Sequence, residues 1–452
     1  MKKILIVSYY YSPGNVMGAV RASKLSKYFN RLGYDVHVVC SDANKLLFMP
    51  GEILKDNILE SDTIEIKKDI ISHSNMYKKL ANFLLLFSKK LYKVDNLGIQ
   101  KKADRGGESK YLKELKKKCI HFLTFVFSLI QDYDFMFRAR RLFAKRAHMD
   151  RFDVVISTYG PIASHLVGRY VKKNNPDCMW IADFRDPIAQ PTNGFLELKV
   201  NKKIERSISA LADRITAVSH GYLNEILDGK HQYKAQVITN GFDSEDLKYI
   251  TNPEKESRFS FVYTGTTYAG KRDLSVIFMV LNELINEGKI DKKLVTFRYA
   301  GSEQNHIRGL AGRYGLEEIV EAYGFIPRNE ALMLQAKSQI LLVSTWNESK
   351  HQGVLPGKFL EYMMLKKPII AVINGEVGES EIGKMISEYN MGIYYEAVNM
   401  KDDYLKLKDY ILMQYNYFLK NGKVLFEGNT CEIDSHNYIN ITKRFIRIIE
   451  NK

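Results

Sequence analysis

Residues 352–368 read QGVLPGKFLEYMMLKKP, and the organisation of the whole chain can be worked out from this stretch. The apolar run Ile340–Val343 precedes it and the run Ile369–Val372 follows it, and both are typical of buried strands in a parallel sheet. The loop between them contains glycine and proline and is predicted to lead into a short helix, Lys358–Leu365. In such a strand–loop–helix unit, backbone N–H groups and the helix N-terminus point toward an anion.

Two charged residues follow this loop. Lys358 adds a positive charge near the helix N-terminus, and Glu361 lies about one turn later, so both side chains are predicted to share one face. A lysine suits a phosphate and a carboxylate suits sugar hydroxyls, so the pair indicates a nucleotide-sugar site. An ordinary βα turn with a solvated lysine and glutamate would give the same pattern.

The composition is that of a globular protein whose positive charge is concentrated in one segment. The chain has 452 residues, of which 45% are apolar and 26% charged, and its net charge is +15. This length suits two domains of roughly 150–250 residues each. Residues 76–150 carry 18 lysines and arginines against 7 aspartates and glutamates, whereas the remainder carries 49 against 45. The basic segment therefore needs a local explanation.

Cysteine usage and hydropathy indicate a reduced, aqueous compartment. The four cysteines are scattered and lack the spacing of a metal site, which fits a cytosolic protein. The N-terminal run Ile4–Val7 is too short for the core of a signal peptide. No apolar stretch reaches the roughly 18–20 residues of a bilayer span, so we expect that the chain does not cross a membrane by itself.

The N-terminal region has the pattern of a doubly wound sheet. A strand at Ile4–Val7, a loop with Gly14 and Gly18, a helix and a strand at Val36–Cys40 form a βαβ unit. GxGxxG is missing, which argues against a dinucleotide cofactor. The two glycines either let the backbone approach a ligand or simply permit the turn.

Residues 75–149 interrupt the alternation of strands and helices. Leu80–Tyr92 and Lys110–Ile130 are predicted to be helices with lysines gathered on one face and apolar residues around the rest. Basic amphipathic helices of this kind commonly lie in the interface of an anionic membrane, which is our first interpretation. A helical hairpin packed on its own domain is the second. A nucleic-acid partner is not indicated, because no recognisable nucleic-acid-binding motif is present.

Charged residues then follow a predicted strand edge. The strand Asp153–Thr158 leads to a helix that carries His165, and the strand Trp180–Ala182 is followed by DFRDP at residues 183–187. Open parallel sheets bind ligands at this edge, and unpaired charge there is costly, so the cluster indicates a polar site. An Asp/Arg pair that fixes a loop is the alternative.

A second series of strands and helices follows residue 258. Val237–Asp243 is predicted to be the last strand and turn of the first series. The strand Phe259–Thr264 then leads into the loop Gly265–Arg272, which ends with two cations. The chain closes with a basic amphipathic helix, Tyr438–Ile449. Two α/β halves of this kind are expected to place a ligand crevice between them.

Three segments together resemble a GT-B glycosyltransferase of the large retaining family 4. They are the strand and loop Ile4–Gly18, WIADFRDP at 180–187, and GVLPGKFLEYMMLKKP at 353–368. The resemblance covers nearly the whole chain and is weakest over residues 41–149. The last two segments are similar to the subgroup of bacterial fucosamine and related amino-sugar transferases of surface-polysaccharide assembly.

The resemblance implies an α/β fold of the GT-B type, with two facing Rossmann-like domains and a helical basic insertion in the N-terminal one. Residues 1–243 are expected to bind the acceptor and to contain the membrane-facing insertion at about 75–149. Residues 244–430 are expected to bind the nucleotide sugar. A C-terminal helix within residues 431–452 is expected to pack back on the N-terminal domain.

The resemblance also assigns donor-binding residues. Glu361 matches the second glutamate of the family's E-x7-E motif, which holds the donor ribose. Lys271 and Lys358 match positions that grip the diphosphate and are the expected catalytic cations. The other expected donor contacts are Gly18, Arg272, Phe325, Ile326, Pro356 and Gly357. The first glutamate of the motif would fall at Gly353, so Gln352 or Glu348 is expected to substitute, and the sugar stays open.

The acceptor is expected to enter from the first domain. Asp183 and Arg185 are candidates for holding it, and Asp186 and His165 for handling its hydroxyl proton. A satisfied core histidine is an equally good interpretation of His165. No metal is implied, because no DxD-like cluster stands in the right context.

The resemblance therefore implies retaining, metal-independent transfer of a sugar from a nucleotide-diphosphate donor, UDP-linked, with no further cofactor. The expected acceptor is a lipid-linked saccharide of capsule or O-antigen synthesis, and the expected location is cytoplasmic, on the inner face of the plasma membrane. Two alternatives stay open: a non-catalytic, membrane-associated assembly protein of the same fold, and a GT-B sugar-nucleotide epimerase.

Overall fold

The computed structural model describes residues 1–12, 17–42, 66–84, 110–146, 151–227, 229–250 and 256–451. Their contacts divide the chain into two compact units. The N-terminal unit comprises Met1–Ala217, Leu223–Gln236 and Ile446–Lys452, and the C-terminal unit comprises Val218–Tyr222 and Val237–Phe445. Each unit is built on one sheet with helices around it.

The N-terminal unit contains a seven-stranded sheet. Its strands are β1 (Lys3–Ser8), β2 (Asp35–Ser41), β3 (Lys67–Ile71), β4 (Val154–Thr158), β5 (Met179–Phe184), β6 (Arg214–Ala217) and β7 (Ala235–Val237). Their spatial order is β3-β2-β1-β4-β5-β6-β7, and the pairs from β3 to β6 are parallel. The helices are α1 (Met17–Arg31), α2 (residues 75–84), α3 (Lys110–Arg146), α4 (Ala163–Asn174), α5 (Phe195–Leu211) and α6 (His220–Leu227). The first residues of α6, up to Tyr222, belong to the C-terminal unit.

The C-terminal unit contains a six-stranded sheet that is parallel throughout. Its strands are β8 (Phe259–Thr264), β9 (Val295–Ala300), β10 (Val320–Gly324), β11 (Ile340–Trp346), β12 (Ile369–Asn374) and β13 (Gly392–Glu396), in the order β10-β9-β8-β11-β12-β13. The helices are α7 (Ser275–Asn286), α8 (Gln304–Gly312), α9 (Arg328–Lys337), α10 (Gly357–Leu365), α11 (Glu381–Glu388), α12 (Met400–Asn421), α13 (Thr430–Ser435) and α14 (Tyr438–Glu450). The last turn of α14, from Ile446, belongs to the N-terminal unit.

Side-chain alternation along the C-terminal strands builds two separate cores. Along β8, Phe261 enters one core and Val262 the other, and along β11, Leu342 and Leu341 divide in the same way. Because successive residues of a strand point to opposite faces, a near-continuous apolar run is required when helices cover both faces. This is why these strands were readable from sequence.

The strand order positions the candidate site. It reverses between β1 and β4 in the first sheet and between β8 and β11 in the second. In open α/β sheets, ligands bind at the carboxyl ends of the strands beside such a reversal. The loops after β1, β4, β8 and β11 are therefore the expected ligand-binding loops.

Both predicted doubly wound sheets are confirmed, with three local corrections. The edge strand β3 was not predicted. Helix α3 continues to Arg146 instead of ending at Ile130. The strand predicted at Val237–Asp243 is wrong, because β7 ends at Val237 and Phe242 forms only an isolated bridge with Asn437. None of the helices in the described ranges is both long and apolar enough to span a bilayer.

Candidate functional site

The loop after β8 brings a lysine to the strand reversal of the C-terminal sheet. Lys271 Nζ lies 2.9 Å from Oε1 of Glu348, which follows β11. The same ammonium lies 4.2 Å from the ring centroid of Trp346, the last residue of β11. Lys271 is therefore fixed by the two strands that flank the reversal.

The backbone of this loop is strained and firmly anchored. Tyr268 and Ala269 have φ values of 51° and 53°, in the left-handed region that such side chains rarely adopt. The Glu303 carboxylate accepts hydrogen bonds from Thr267 N and from Ala269 N, the latter at 3.0 Å. These bonds outweigh burial and lower the pKa of Glu303. Strain held in this way is typical of a preorganised site.

A helix N-terminus and a second lysine lie beside the loop. Pro356 caps α10 and Gly357 is its first residue, and the first turn of this fully described helix carries no acidic residue. A β-carbon added to Gly265 would lie 3.5 Å from Lys358 Cε, so Lys358 is next to the start of the β8 loop. The helix dipole and the ammonium together favour an anion at this place.

Glu361 shares the predicted face with Lys358 and has a partner that the sequence did not reveal. Its Oε2 lies 4.0 Å from Lys358 Nζ, and its Oε1 accepts a 3.1 Å hydrogen bond from Nε of Arg328. Arg328 also donates to Asp246 Oδ2 at 2.8 Å. The Glu361 carboxylate is thus oriented by an arginine at the start of α9, for which no motif gave a signal.

The predicted base-reading segment follows β10. Gly324 adopts φ +73° and its carbonyl accepts a 2.8 Å hydrogen bond from Gly301 N. The Phe325 side chain is 54% exposed, whereas Ile326 packs against the core under α10. An exposed aromatic ring at a strand end is available for stacking on a planar base.

In the N-terminal unit, the structure brings Gly18 and Arg185 together. A β-carbon on Gly18 would lie 3.0 Å from both terminal nitrogens of Arg185, so any larger residue there would crowd the guanidinium. Arg185 Nε donates to the Tyr159 carbonyl at 2.7 Å. Burial lowers the pKa of Arg185, and the nearby carboxylate of Asp186 acts in the opposite direction.

The expectation that Asp183 holds the acceptor is contradicted by its burial. Its carboxylate is fully buried and accepts two 2.8 Å hydrogen bonds from Arg21 of α1. Thr216 donates a third at 2.6 Å. Burial alone would raise the pKa of Asp183, but the Arg21 charge and these bonds hold it below its ordinary value. Asp183 therefore joins α1 to the sheet and is not accessible to a substrate.

The core interpretation of His165 fits its surroundings. The ring is completely buried, and its Nδ1 lies 2.8 Å from Ser157 Oγ. Trp180 Nε1 donates to the same oxygen at 2.8 Å, so Ser157 links the His165 ring to the Trp180 indole. Burial lowers the pKa of His165 to about 3, which keeps the imidazole neutral. A proton-handling role at the surface is inconsistent with this environment.

A polar network at the carboxyl edge of the N-terminal sheet was not predicted from the sequence. Asp134 Oδ2 lies 2.8 Å from His73 Nδ1, and His73 Nε2 lies 2.5 Å from the hydroxyl of Tyr9. Beside it, burial raises the pKa of Asp132 to about 8. These residues are distant in sequence and share no spacing that a motif could reveal. Groups of three or more metal-ligating side chains are not found among the described residues.

Comparisons with known proteins agree with this geometry at the level of fold. No family model matches the sequence, and no curated protein matches it. Solved structures do match over the full length. A trehalose-6-phosphate protein from E. coli bound with UDP-2-fluoro glucose is 11% identical, with 100% of this chain and 99% of that chain covered and a TM-score of 0.61. The chain has the GT-B fold.

Two further GT-B structures support this assignment. Sucrose-phosphate synthase from Thermosynechococcus elongatus is 13% identical, with a TM-score of 0.58 and coverage of 100% of this chain and 99% of that chain. The lipopolysaccharide outer core galactosyltransferase WaaB in its apo form is 14% identical, with a TM-score of 0.56 and the same coverage. Identities this low establish the fold and leave the activity to be argued from the site.

Proposed function

We propose that this GT-B protein is a glycosyltransferase that takes a sugar from a nucleotide-diphosphate donor, UDP-linked, and passes it to a hydroxyl acceptor. The observation that carries the proposal is the cationic edge at the strand reversal of the C-terminal sheet, where Lys271, Lys358 and the α10 N-terminus lie around neighbouring loops. Similar structures include one bound with UDP-2-fluoro glucose and one named a galactosyltransferase, which supports the proposal.

The chemistry of this edge is electrostatic. When the bond between the anomeric carbon and the diphosphate breaks, negative charge grows on the β-phosphate. Lys271, Lys358 and the N-terminal dipole of α10 stabilise that charge and do not have to reorganise to do so. These positive charges do what a metal ion does in other transferases, so we propose a metal-independent transfer. We further propose that the transfer is retaining. Glu361, oriented by Arg328, is placed to accept hydrogen bonds from the donor ribose.

We place the acceptor at the carboxyl edge of the N-terminal sheet, with Arg185 and Asp186 as its polar contacts. The proposed acceptor is a lipid-linked saccharide of bacterial surface-polysaccharide synthesis, such as capsule or O-antigen. This assignment rests on the DFRDP segment and on the basic apolar surface described below.

A thermal-shift panel of nucleotide sugars tests the donor proposal. A ligand that binds only the folded state stabilises it by about 2.7 kcal/mol when present at roughly a hundred times its Kd, so the matching donor is expected to raise Tm by several degrees. The Lys271→Ala/Lys358→Ala variant should lose most of this shift. If no nucleotide sugar shifts the wild type, the donor site is wrong. Epimerisation of the donor sugar in the absence of any acceptor would favour the epimerase alternative.

A surface of the N-terminal unit combines exposed apolar and basic side chains. On α3, Phe125 and Phe127 are buried in the unit, so the predicted apolar face is partly internal. Phe122, 48% exposed, and Leu123 remain on the surface. The helical-hairpin interpretation therefore holds for part of α3, since Phe127 packs against Tyr77 of α2. The predicted lysines of residues 85–109 lie outside the described residues.

Helix α5 extends this surface. At 100° per residue, an arc of about 160° contains six exposed apolar and basic residues and one half-buried lysine. The exposed ones are Phe195, Leu196, Lys199, Val200, Lys203 and Arg206, and the half-buried one is Lys202. His121 of α3 and Glu197 of α5 are 2.7 Å apart, so the two helices adjoin. We propose that this basic apolar surface of α3 and α5 docks on the anionic inner face of the plasma membrane.

Vesicle sedimentation tests the docking. Phe195→Ser/Leu196→Ser is expected to lower the partition coefficient onto phosphatidylglycerol-containing vesicles by about tenfold, because apolar side chains no longer enter the interface. Leu405→Ser/Leu419→Ser on α12, which also replaces two exposed leucine-sized side chains, is the matched control and should bind as the wild type does. Equal loss in both variants, or no loss in the first, would reject the surface.

A further inference from the structure

Two aromatic rings enclose the two cations of the β8 loop. Besides the contact of Lys271 with Trp346, the Arg272 guanidinium lies 4.5 Å from the ring centroid of Tyr268 and 5.3 Å from that of Trp346. The rings of Tyr268 and Trp346 meet edge to face, 5.7 Å apart at 80°. We call Tyr268, Lys271, Arg272 and Trp346 the aromatic–cation cluster.

Lys271 has one partner inside the aromatic–cation cluster, Trp346, and one outside it, Glu348, and the two act in different ways. A carboxylate neutralises the ammonium, whereas the face of an indole attracts it without bringing a negative charge. Lys271 is bound to both kinds of partner at once, the Glu348 carboxylate and the Trp346 ring. A second carboxylate, Glu376, is close enough that the charge of Lys271 helps to lower its pKa, after the larger effect of its hydrogen bonds with Ser349 and its own backbone.

Polar atoms without partners surround the same loop. Within the described part of the chain, Arg272 Nε, Trp346 Nε1 and His306 Nε2 are buried and make no hydrogen bond. His306 is beside the loop, since a β-carbon on Gly270 would lie 3.5 Å from its ring. A buried donor that stays unpaired costs about 1–3 kcal/mol, so such a group calls for an acceptor oxygen. Arg272 Nε and Trp346 Nε1 are two such donors in one cluster.

We propose that Glu348 is an internal competitor of the donor diphosphate and that Trp346 is the positioning residue that holds Lys271 when Glu348 is displaced. The inference rests on the proposed function of this edge and adds a partner exchange to it. In the empty site, the ammonium of Lys271 pairs with Glu348. A bound diphosphate takes over the ammonium, Glu348 is released to solvent, and the Trp346 ring keeps Lys271 in place.

Charge explains why the exchange has to occur. A diphosphate and the Glu348 carboxylate repel each other at the distance of a shared lysine, so both cannot hold Lys271. The indole is uncharged and its contact with Lys271 is compatible with either anion. A single phosphate offers less charge to displace a carboxylate, so the competitor makes the site selective for diphosphates.

Titration calorimetry measures the affinity for two probes, UDP and inorganic pyrophosphate, the second of which carries no base. Two substitutions with opposite expected effects then test the exchange. Glu348→Gln removes the competitor and is expected to tighten both ligands by about two- to fivefold, the range of partly exposed ion pairs. Trp346→Leu removes the ring and should weaken them by about threefold or more, the range of cation–π contacts. Trp346→Phe keeps a ring and should lose less than Trp346→Leu.

The matched control is Glu318→Gln. Glu318 pairs with Lys292 at 2.5 Å just before β10, at the opposite edge of the same sheet, and its replacement changes the net charge equally. UDP affinity should not change in this variant. Unfolding midpoints of all variants show whether a loss reflects the site or the fold, and Trp346→Phe keeps the ring argument testable if Trp346→Leu does not fold.

The outcomes separate this inference from the proposed function. If Glu348→Gln binds UDP no more tightly than the wild type, Glu348 does not compete. If Trp346→Leu binds as tightly as the wild type, or Trp346→Phe loses as much as Trp346→Leu, the ring does not position Lys271. If the wild type binds neither UDP nor pyrophosphate and no nucleotide sugar stabilises it, the proposed function fails.

Discussion

Lys358→Ala is expected to lower kcat/KM for sugar transfer at least tenfold, a loss of about 1.4 kcal/mol in transition-state stabilisation. Lys358 lies in the first turn of α10 and beside the β8 loop, where the departing diphosphate gains charge in the proposed reaction. Because this charge is largest in the transition state, the loss should appear mainly in kcat. Steady-state rates with the donor selected by thermal shift measure it.

Glu361→Ala is expected to produce a loss of the same order, seen mainly as a raised KM. Its carboxylate is the proposed ribose contact, which forms in the ground state as well as in the transition state. The fold should persist, because Arg328 keeps its 2.8 Å bond to Asp246 when Glu361 is removed. Circular dichroism and Tm confirm this independently of activity.

The matched control for these variants is Lys406→Ala. Lys406 also lies three residues from a helical carboxylate, with Nζ 3.3 Å from Asp403 Oδ1, but it is on α12, which packs on β13 and α7. Its removal should leave kcat and KM within about twofold of the wild type. Unchanged kinetics in both Lys358→Ala and Glu361→Ala would remove these residues from the site.

The fold was predictable wherever burial dictated the pattern of residues. Strands such as β8 and β11 are buried along almost their whole length and are mostly apolar. By contrast, β3 is an edge strand whose residues Lys67, Lys68 and Ile70 are exposed, so neither a continuous apolar run nor an alternation marks it. Edge strands commonly carry such charges, which prevent further pairing.

The site was predictable only where its geometry is local. Lys358 and Glu361 are one helical turn apart, and their proximity follows from helix geometry alone. The contact of Lys271 with Glu348 spans 77 residues and depends on β8 and β11 being neighbours in the sheet. The sequence contained both loops but not the strand order that joins them.

The DFRDP segment shows the same limit more sharply. Its clustered charges indicated a local site, but the segment begins inside β5, whose residues are buried from Trp180 to Phe184. Asp183 therefore enters the interior, where it meets Arg21, 162 residues away in the chain. Arg185, two residues later and past the end of β5, reaches the carboxyl edge and Gly18. The segment thus divides into a structural residue and a candidate ligand contact.

Arg21→Met is expected to destabilise the N-terminal unit by about 3–5 kcal/mol, the usual effect of removing one partner of a buried ion pair. Both side chains are 0% exposed, and the Asp183 carboxylate would lose its charged partner while keeping the hydrogen bond from Thr216. Chemical denaturation of the full chain measures the loss. Lys67→Met, which breaks the exposed pair with Asp35, is the control and should cost less than about 1 kcal/mol.

The pH dependence distinguishes this ion pair from simple loss of packing. In the wild type, the pKa of Asp183 lies below its ordinary value, so its contribution is present at neutral pH and is lost as the pH falls through that range. Without Arg21, burial dominates and raises the pKa, so the variant loses stability as the pH rises above about 4. The deficit of Arg21→Met should therefore be largest near pH 7 and shrink toward pH 4. Adding Asp183→Leu to Arg21→Met should recover much of the lost stability at pH 7. If the loss is the same at every pH and Asp183→Leu does not reduce it, then packing of the Arg21 stem, and not its charge, holds α1 against the sheet.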